Sequence, residues 1–225
     1  MPEQVIAFNP FVKGLAAHLI AGETLFEEVD IADAQYLYHK GDTANAFYGV
    51  LTGNVKSLVV GADGKEVVVS YALPGDWFGE IGVWRNKIRL VDTMAVGEVR
   101  LLRVNSTTIH TICERHPKLL IELTDWLDDR IHLAALLLEN ALFMDLETRL
   151  AYWLCHFAQR CGKADESGVE IELHLTQEEL GKLVSVTREA VGRQLNKWKK
   201  KGWLEIRYGK IFLLDLPALK EVCIE

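Results

Sequence analysis

The chain of 225 residues is about one and a half times a typical domain, which fits one large domain or two modest ones, and its 49% hydrophobic and 25% charged content excludes disordered, collagen-like and disulfide-stapled classes. No apolar run reaches the roughly 18 residues of a membrane span. Residues 1–8 lack a basic, then apolar leader pattern, and Cys113, Cys155, Cys161 and Cys223 have no CxxC spacing, so a reducing cytoplasm without membrane contact is expected and a structural zinc site is not. The net charge of −7 is unevenly spread: residues 1–144 hold 12 Lys and Arg against 19 Asp and Glu, whereas residues 145–225 hold 13 of each.

In chain order, residues 11–26 carry Leu15, Leu19, Ile20 and Phe26 at rough helical spacing and predict a short helix. From 29 to 104 the pattern becomes short β-rich runs at 36–38, 47–51, 55–60, 67–72, 93–96 and 99–104. Gly41-Asp42, Thr52-Gly53-Asn54, Ala62-Asp63-Gly64 and Pro74-Gly75-Asp76 punctuate them. Such spacing predicts a sandwich or jelly roll. After Gly79-Glu80-Ile81-Gly82 a short helix is expected, whose free amides suit a phosphate, with Arg89 as counter-charge. Beyond Pro117, Leu120, Leu123, Leu127, Ile131, Ala134, Leu138 and Ala141 recur at intervals of three and four. That is the seam of one long helix able to pair with a second copy, so a homodimer is expected, against the plainer reading of a helix packed on its own domain.

Phe143-Met144-Asp145 reads as a hinge, with Asp145 capping a helix over 146–160 that stops at a left-handed Gly162. A loop over 163–168 and a strand over 169–173 follow. Thr176-Gln177-Glu178-Glu179 is a capping box opening a helix to about 183; a turn through 184–186 leads to a second helix over 188–199, capped by Thr187. So short a turn predicts a helix-turn-helix, in which the second helix lays its N-terminal residues on base edges of double-stranded DNA. Arg188 and Arg193 can each pair with guanine O6 and N7, and Glu189 can accept from cytosine N4. Runs at 203–206 and 210–214 predict a hairpin wing. From Lys182 to Lys210 nine basic residues stand against Glu189 and Glu205, a local +7 suited to phosphates.

These residues resemble the Crp/Fnr family of bacterial regulators: Gly41-Asp42, Tyr48, Gly53, Val55, Pro74-Gly75-Asp76 and Gly79-Glu80-Ile81-Gly82 in the β part, then Thr176, Gly181 and Thr187-Arg188-Glu189-Ala190-Val191-Gly192-Arg193. The resemblance implies an α+β chain: a cyclic-nucleotide-binding-type β jelly roll (1–117), a central dimerisation helix and hinge (118–144) and a winged helix-turn-helix (145–225). It implies a transcription regulator, not an enzyme, on a two-fold symmetric operator with TGTGA-like half-sites read by Arg188, Glu189 and Arg193, with RNA polymerase as a further partner. It assigns Gly79, Glu80, Ile81, Arg89 and Leu90 to the ligand cassette, Glu80 for a ribose hydroxyl and Arg89 for a cyclic phosphate.

The family pattern is broken in three places. Leu90 stands where cyclic-AMP sensors carry Ser or Thr, the cassette is one residue short, and Ala134 and Ala135 fall where adenine-contacting hydroxyls belong. The effector therefore stays open among cyclic AMP, cyclic GMP, cyclic di-GMP, another anion, or none, with a vestigial pocket in which Glu80 pairs with Arg89. An iron-sulfur sensor is disfavoured because no cysteine precedes Cys113, and His39 or His110 as a haem ligand is weaker than the ordinary reading of a surface histidine. Cys155 and Cys161, six apart, read as buried thiols before a redox pair. A metal-bearing cupin lacks its His-x-His set, and no nucleophile elbow or P-loop occurs. A ligand module whose winged helix serves protein contacts is the remaining alternative.

Overall fold

The computed structural model describes residues 2–20 and 23–223. Helices α1 (Pro2–Ala7) and α2 (Pro10–Ala17) open the chain, the second capped by the Asn9 side chain, which accepts from the Val12 amide. Strands β1 (Glu27–Ile31), β2 (Tyr36–Tyr38), β3 (Ala46–Val60), β4 (Glu66–Ala72) and β5 (Trp77–Phe78) follow, then a 3-10 turn (Val83–Arg85) and β6 (Asp92–Asn105). Next come α3 (Ser106–Arg115), α4 (Leu119–Phe143), α5 (Leu146–Cys161), β7 (Gly162–Asp165) and β8 (Gly168–Ile171). Last are α6 (Gln177–Leu183), α7 (Arg188–Lys200), β9 (Leu204–Arg207), β10 (Lys210–Leu213) and α8 (Leu216–Val222).

The residues group into two units, Met1–Val60 with Val69–Leu133, and Gly61–Val68 with Ala134–Glu225. The first is built on an antiparallel sheet in the order β1-β6-β3-β4, with β2 on β6 and β5 on β3. Its apolar side chains form two clusters. One, with Ile31, Tyr48, Val55, Val99 and Leu101, lies within the roll; the other gathers Phe11, Phe47, Trp77, Leu119 and Trp126 from α2, α4 and the sheet. The second unit holds α5 to α8 and an antiparallel sheet β7-β8-β10-β9.

Several expectations are corrected. The predicted first helix ends at Ala17 with His18 as its C-cap, and residues 19, 20 and 23–26 are not helical; positions 21 and 22 lie outside the described residues. The break at Thr52-Gly53-Asn54 is a bulge inside one 15-residue strand, with register shifts between Val50 and Thr52 and between Thr52 and Asn54. Gly53 is required there, because its φ is +76° and a Cβ would collide with the Glu98 carbonyl. The predicted runs 93–96 and 99–104 likewise form one strand, β6. Gly162 is extended (φ −84°, ψ 138°) rather than left-handed and starts β7, where a loop was expected. A side chain there would strike the Ala158 carbonyl, so close approach, not φ, explains the glycine. Helix α3 and strand β1 are absent from the periodicity reading altogether.

The apolar side chains of α4 have two destinations. Leu119, Leu123 and Trp126 pack into the first unit's core, while Ile131, Leu138, Leu142 and Phe143 are exposed. Of the seam positions from 120 to 141, Leu120, Ile131 and Leu138 are exposed, and Leu123 packs partly against that core.

Candidate functional site

The N-terminal side chains of α7 stand where the sequence places them. Thr187 caps the helix by accepting from the Ala190 amide (3.3 Å), and Thr176 caps α6 by accepting from the Glu179 amide (3.1 Å). The turn between them is tight: the Val186 amide donates to the Gly181 carbonyl, and Ser185 sits in the left-handed region at φ 58°. On α7, Val191, Gly192, Leu195 and Trp198 are buried, so Arg188, Glu189 and Arg193 are turned outward and are exposed. Glu189's own amide and the Thr187 hydroxyl hold its carboxyl below the usual range. It is therefore an anion at neutral pH, able only to accept.

The +7 patch is partly answered within its own unit. Lys197 Nζ lies 2.7 Å from Glu147 Oε2, Lys182 Nζ 3.2 Å from Glu178, and Arg207 and Lys210 pair with Glu205 and Glu170. Arg188, Arg193, Lys199 and Lys200 make no ion pair among the described residues. Those cationic groups at both ends of α7 are thus not engaged by carboxylates among the described residues. Glu147, which the sequence reading missed, anchors α7 to α5: it also accepts from Trp198 Nε1 at 3.0 Å. The Lys197 hydrogen bond leads in holding its carboxyl below the ordinary 4.5. A depressed carboxylate contributes stability above its unfolded pKa and loses it as pH falls through the folded one. Melting of Glu147→Gln between pH 3 and 6 should therefore fall less steeply on acidification than that of the natural chain, while at pH 7 the variant melts lower.

In the first unit the cassette residues separate. Ile81 and Leu90 are exposed, at 55% and 58%, whereas Arg89 is 3% exposed. Arg89 donates from Nη1 to the Gly79 carbonyl (2.6 Å) and from Nη2 to the Ala46 carbonyl (2.5 Å), and its guanidinium lies 4.1 Å from the Tyr38 ring centre. Gly79, at φ +80°, admits this approach: a Cβ there would lie 3.3 Å from Arg89 Nη1. Glu80 does not pair with Arg89 as the vestigial-pocket reading expects. It meets Arg130 of α4, Oε1 to Nε at 3.3 Å, and Arg130 Nη2 donates to the Trp77 carbonyl. The Glu80 side chain is 7% exposed, and burial raises its carboxyl above the usual range against the pull of Arg130. The expected short helix after Gly82 is only a three-residue 3-10 turn with no side-chain cap.

Tyr38 and Arg130 carried no motif. The one available signal for Arg130 is its place four residues after Trp126, on the face of α4 that packs inward. His39 is a surface group 3.2 Å from Asp92. Burial pushes the Cys155 thiol up to about 12 and Cys113 up to about 11, and Cys155 lies beside Cys223, not Cys161. These are protonated thiols at neutral pH. Among the described residues no group of three or more metal-ligating side chains occurs, and no helix is long and apolar enough to cross a membrane.

A β-roll with an enclosed arginine, followed by a winged helix-turn-helix whose second helix exposes Arg188, Glu189 and Arg193, is the architecture of a one-component DNA-binding regulator. Residues 28–116 match the cyclic nucleotide-binding domain family and residues 148–222 the Crp-like helix-turn-helix domain family. The CRP-like cAMP-activated global transcriptional regulator of Mycobacterium tuberculosis is 24% identical over 218 residues, 96% of this chain and 97% of that relative. Two solved structures share the fold. FixK2 of Bradyrhizobium japonicum has TM-score 0.79 at 19% identity, over 88% of this chain and 98% of that one. The c-di-GMP-responsive regulator CLP of Xanthomonas campestris has TM-score 0.71 at 21% identity, over 90% of this chain and 97% of that one. The chain belongs to the Crp/Fnr family of transcription regulators and is not an enzyme.

Proposed function

We propose that the protein is a homodimeric, effector-gated regulator that reads a two-fold symmetric operator with TGTGA-like half-sites through Arg188, Glu189 and Arg193. The observation that carries this is the polarity of α7: these three side chains are exposed while Val191, Leu195 and Trp198 anchor the opposite face. Thr176 and Thr187 fix the two helix starts that approach the phosphates. The free apolar side chains Ile131, Leu138 and Leu142 supply the dimer contact, so that two recognition helices engage half-sites about one DNA turn apart. RNA polymerase is a partner of the bound dimer, and the cytoplasm is the setting. The chain is organised as sensor (1–117), dimerisation helix and hinge (118–144) and DNA-binding domain (145–225).

The effector is a cyclic nucleotide, of the kind named for the relatives that answer to cAMP and c-di-GMP. It uses Gly79, Glu80, Ile81 and Arg89, with Leu90 at the cassette's exposed edge. A phosphate on Arg89 must take over the donor now given to the Gly79 carbonyl. That engaged state favours a second reading, in which the roll is closed and the protein binds DNA without a nucleotide.

The test is fluorescence anisotropy of a labelled TGTGA-palindrome duplex, with and without cyclic AMP, cyclic GMP or cyclic di-GMP, beside sedimentation of the free protein. One nucleotide should tighten binding by a dimer. Tight binding that no nucleotide changes selects the second reading, and equal affinity for a scrambled duplex overturns both.

A further inference from the structure

We infer that the first unit carries a binding site for a neutral aromatic molecule of one or two rings, in the cleft that the 3-10 turn and α3 make with the first turns of α4. The cleft encloses about 390 Å³ and is walled by Phe47, Trp84, Ile109, Leu123 and Trp126, with Glu80 and Thr124 its only charged or hydroxyl side chains. A smaller space of about 290 Å³ shares Trp84 and Leu120 with it and is bounded by His110, Cys113 and Glu114. Close-packed interiors leave few voids larger than a water molecule. A concave apolar space of this size with a few convergent polar groups is the shape of a small-molecule site.

Three features set the ligand class. Aromatic walls favour a planar ring, because edge and offset contacts with Trp84, Phe47 and Trp126 stabilise it beyond area burial alone. Neither space has a Lys or Arg on its wall; Glu80's charge is answered by Arg130, and Glu114 borders the smaller one. An anion entering would lose hydration without a counter-charge, so the ligand is neutral, unlike a cyclic nucleotide. His110 Nε2 is buried with no partner among the described residues, and its ring meets the Trp84 ring edge-on at 4.7 Å. His110 borders the smaller space, and a shift of the Trp84 ring off it exposes that nitrogen to one hydroxyl or N–H group on the ligand. Thr124 spends its own proton on the Leu120 carbonyl (2.7 Å) and keeps acceptor capacity.

The cleft does not include Arg89 but shares Glu80 with the proposed nucleotide cassette, and binding there does not depend on the proposed operator reading. Its consequence does: Leu120, Leu123 and Leu127 wall the cleft on α4 and are also the first three positions of the expected dimer seam, so an occupant there bears directly on pairing with a second copy.

The experiment is calorimetric titration of the full chain with 2-naphthol and with indole, beside naphthalene-2-carboxylate. It is repeated on Leu120→Trp, which fills the cleft from a side chain already 38% exposed, and on His110→Phe. The neutral probes should bind at least tenfold tighter than the carboxylate. They should lose at least tenfold in Leu120→Trp while circular dichroism and melting stay unchanged, and 2-naphthol should weaken in His110→Phe. Failure of both neutral probes to bind, or binding that Leu120→Trp leaves intact, overturns the site. A Leu120→Trp protein that changes its sedimentation but not its probe binding also overturns it, because the cleft would then be covered by a second copy. DNA affinity measured on the same preparations separates this failure from failure of the operator reading.

Discussion

Arg89→Met is expected to melt the first unit on the order of 10 °C below the natural chain in differential scanning calorimetry, a loss of about 2–4 kcal/mol. Methionine keeps the length and apolar volume of the stem, so packing around Tyr38 survives. What disappears is the donor pair for the Gly79 and Ala46 carbonyls, in a place where Arg89 is 3% exposed and water cannot replace it. Removing a buried charge returns part of its desolvation cost. Yet two orphaned carbonyls at about 1–3 kcal/mol each exceed that return, since the Tyr38 face already offsets much of the charge. A variant as stable as the natural chain would show that those two bonds contribute nothing.

The same result governs how nucleotide binding is tested. Loss of binding in Arg89→Ala would follow from a loosened roll as readily as from a lost phosphate contact. The informative comparison is the shift in melting on adding cyclic AMP. Binding through Arg89 raises the natural chain's melting point by mass action and leaves Arg89→Met unmoved.

What could be read from sequence was local. Asp145, Thr176 and Thr187 each cap a helix three residues ahead, so the capping pattern located α5, α6 and α7 without tertiary information. The alternation of α7 between Val191, Leu195, Trp198 and its charged face likewise follows from helical period alone. The rest depends on contacts distant in sequence. Arg89 finds the Ala46 carbonyl 43 positions away, and Glu80 finds Arg130 rather than the nearer Arg89. The α4 repeat states that one face is apolar but not what covers it: Leu123 packs partly against the first unit's core, whereas Leu120, Ile131 and Leu138 are exposed. Gly53 and Gly162 read as punctuation because close approach of a carbonyl leaves the same residue type as a turn does.

Arg188→Ala is expected to weaken binding to the matching operator by about 1–3 kcal/mol, roughly 5- to 150-fold, while binding to a scrambled duplex weakens far less. The side chain opens α7 directly after the Thr187 cap and makes no competing ion pair among the described residues, so its bidentate donors are available to a guanine. Arg193, also exposed, should behave alike at a neighbouring base. Lys199→Ala, at the far end of the same helix, should lower both affinities equally and reduce the salt slope by about one counterion, the signature of a phosphate contact. Glu189→Ala separates the two effects most sharply. Losing a carboxylate beside the phosphates raises affinity for any duplex, while losing the acceptor for cytosine N4 removes discrimination at one base pair. The variant should therefore bind scrambled DNA more tightly than the natural chain and its operator less selectively. Equal losses on both duplexes for Arg188→Ala would mean that α7 holds the backbone and leaves sequence to be read elsewhere.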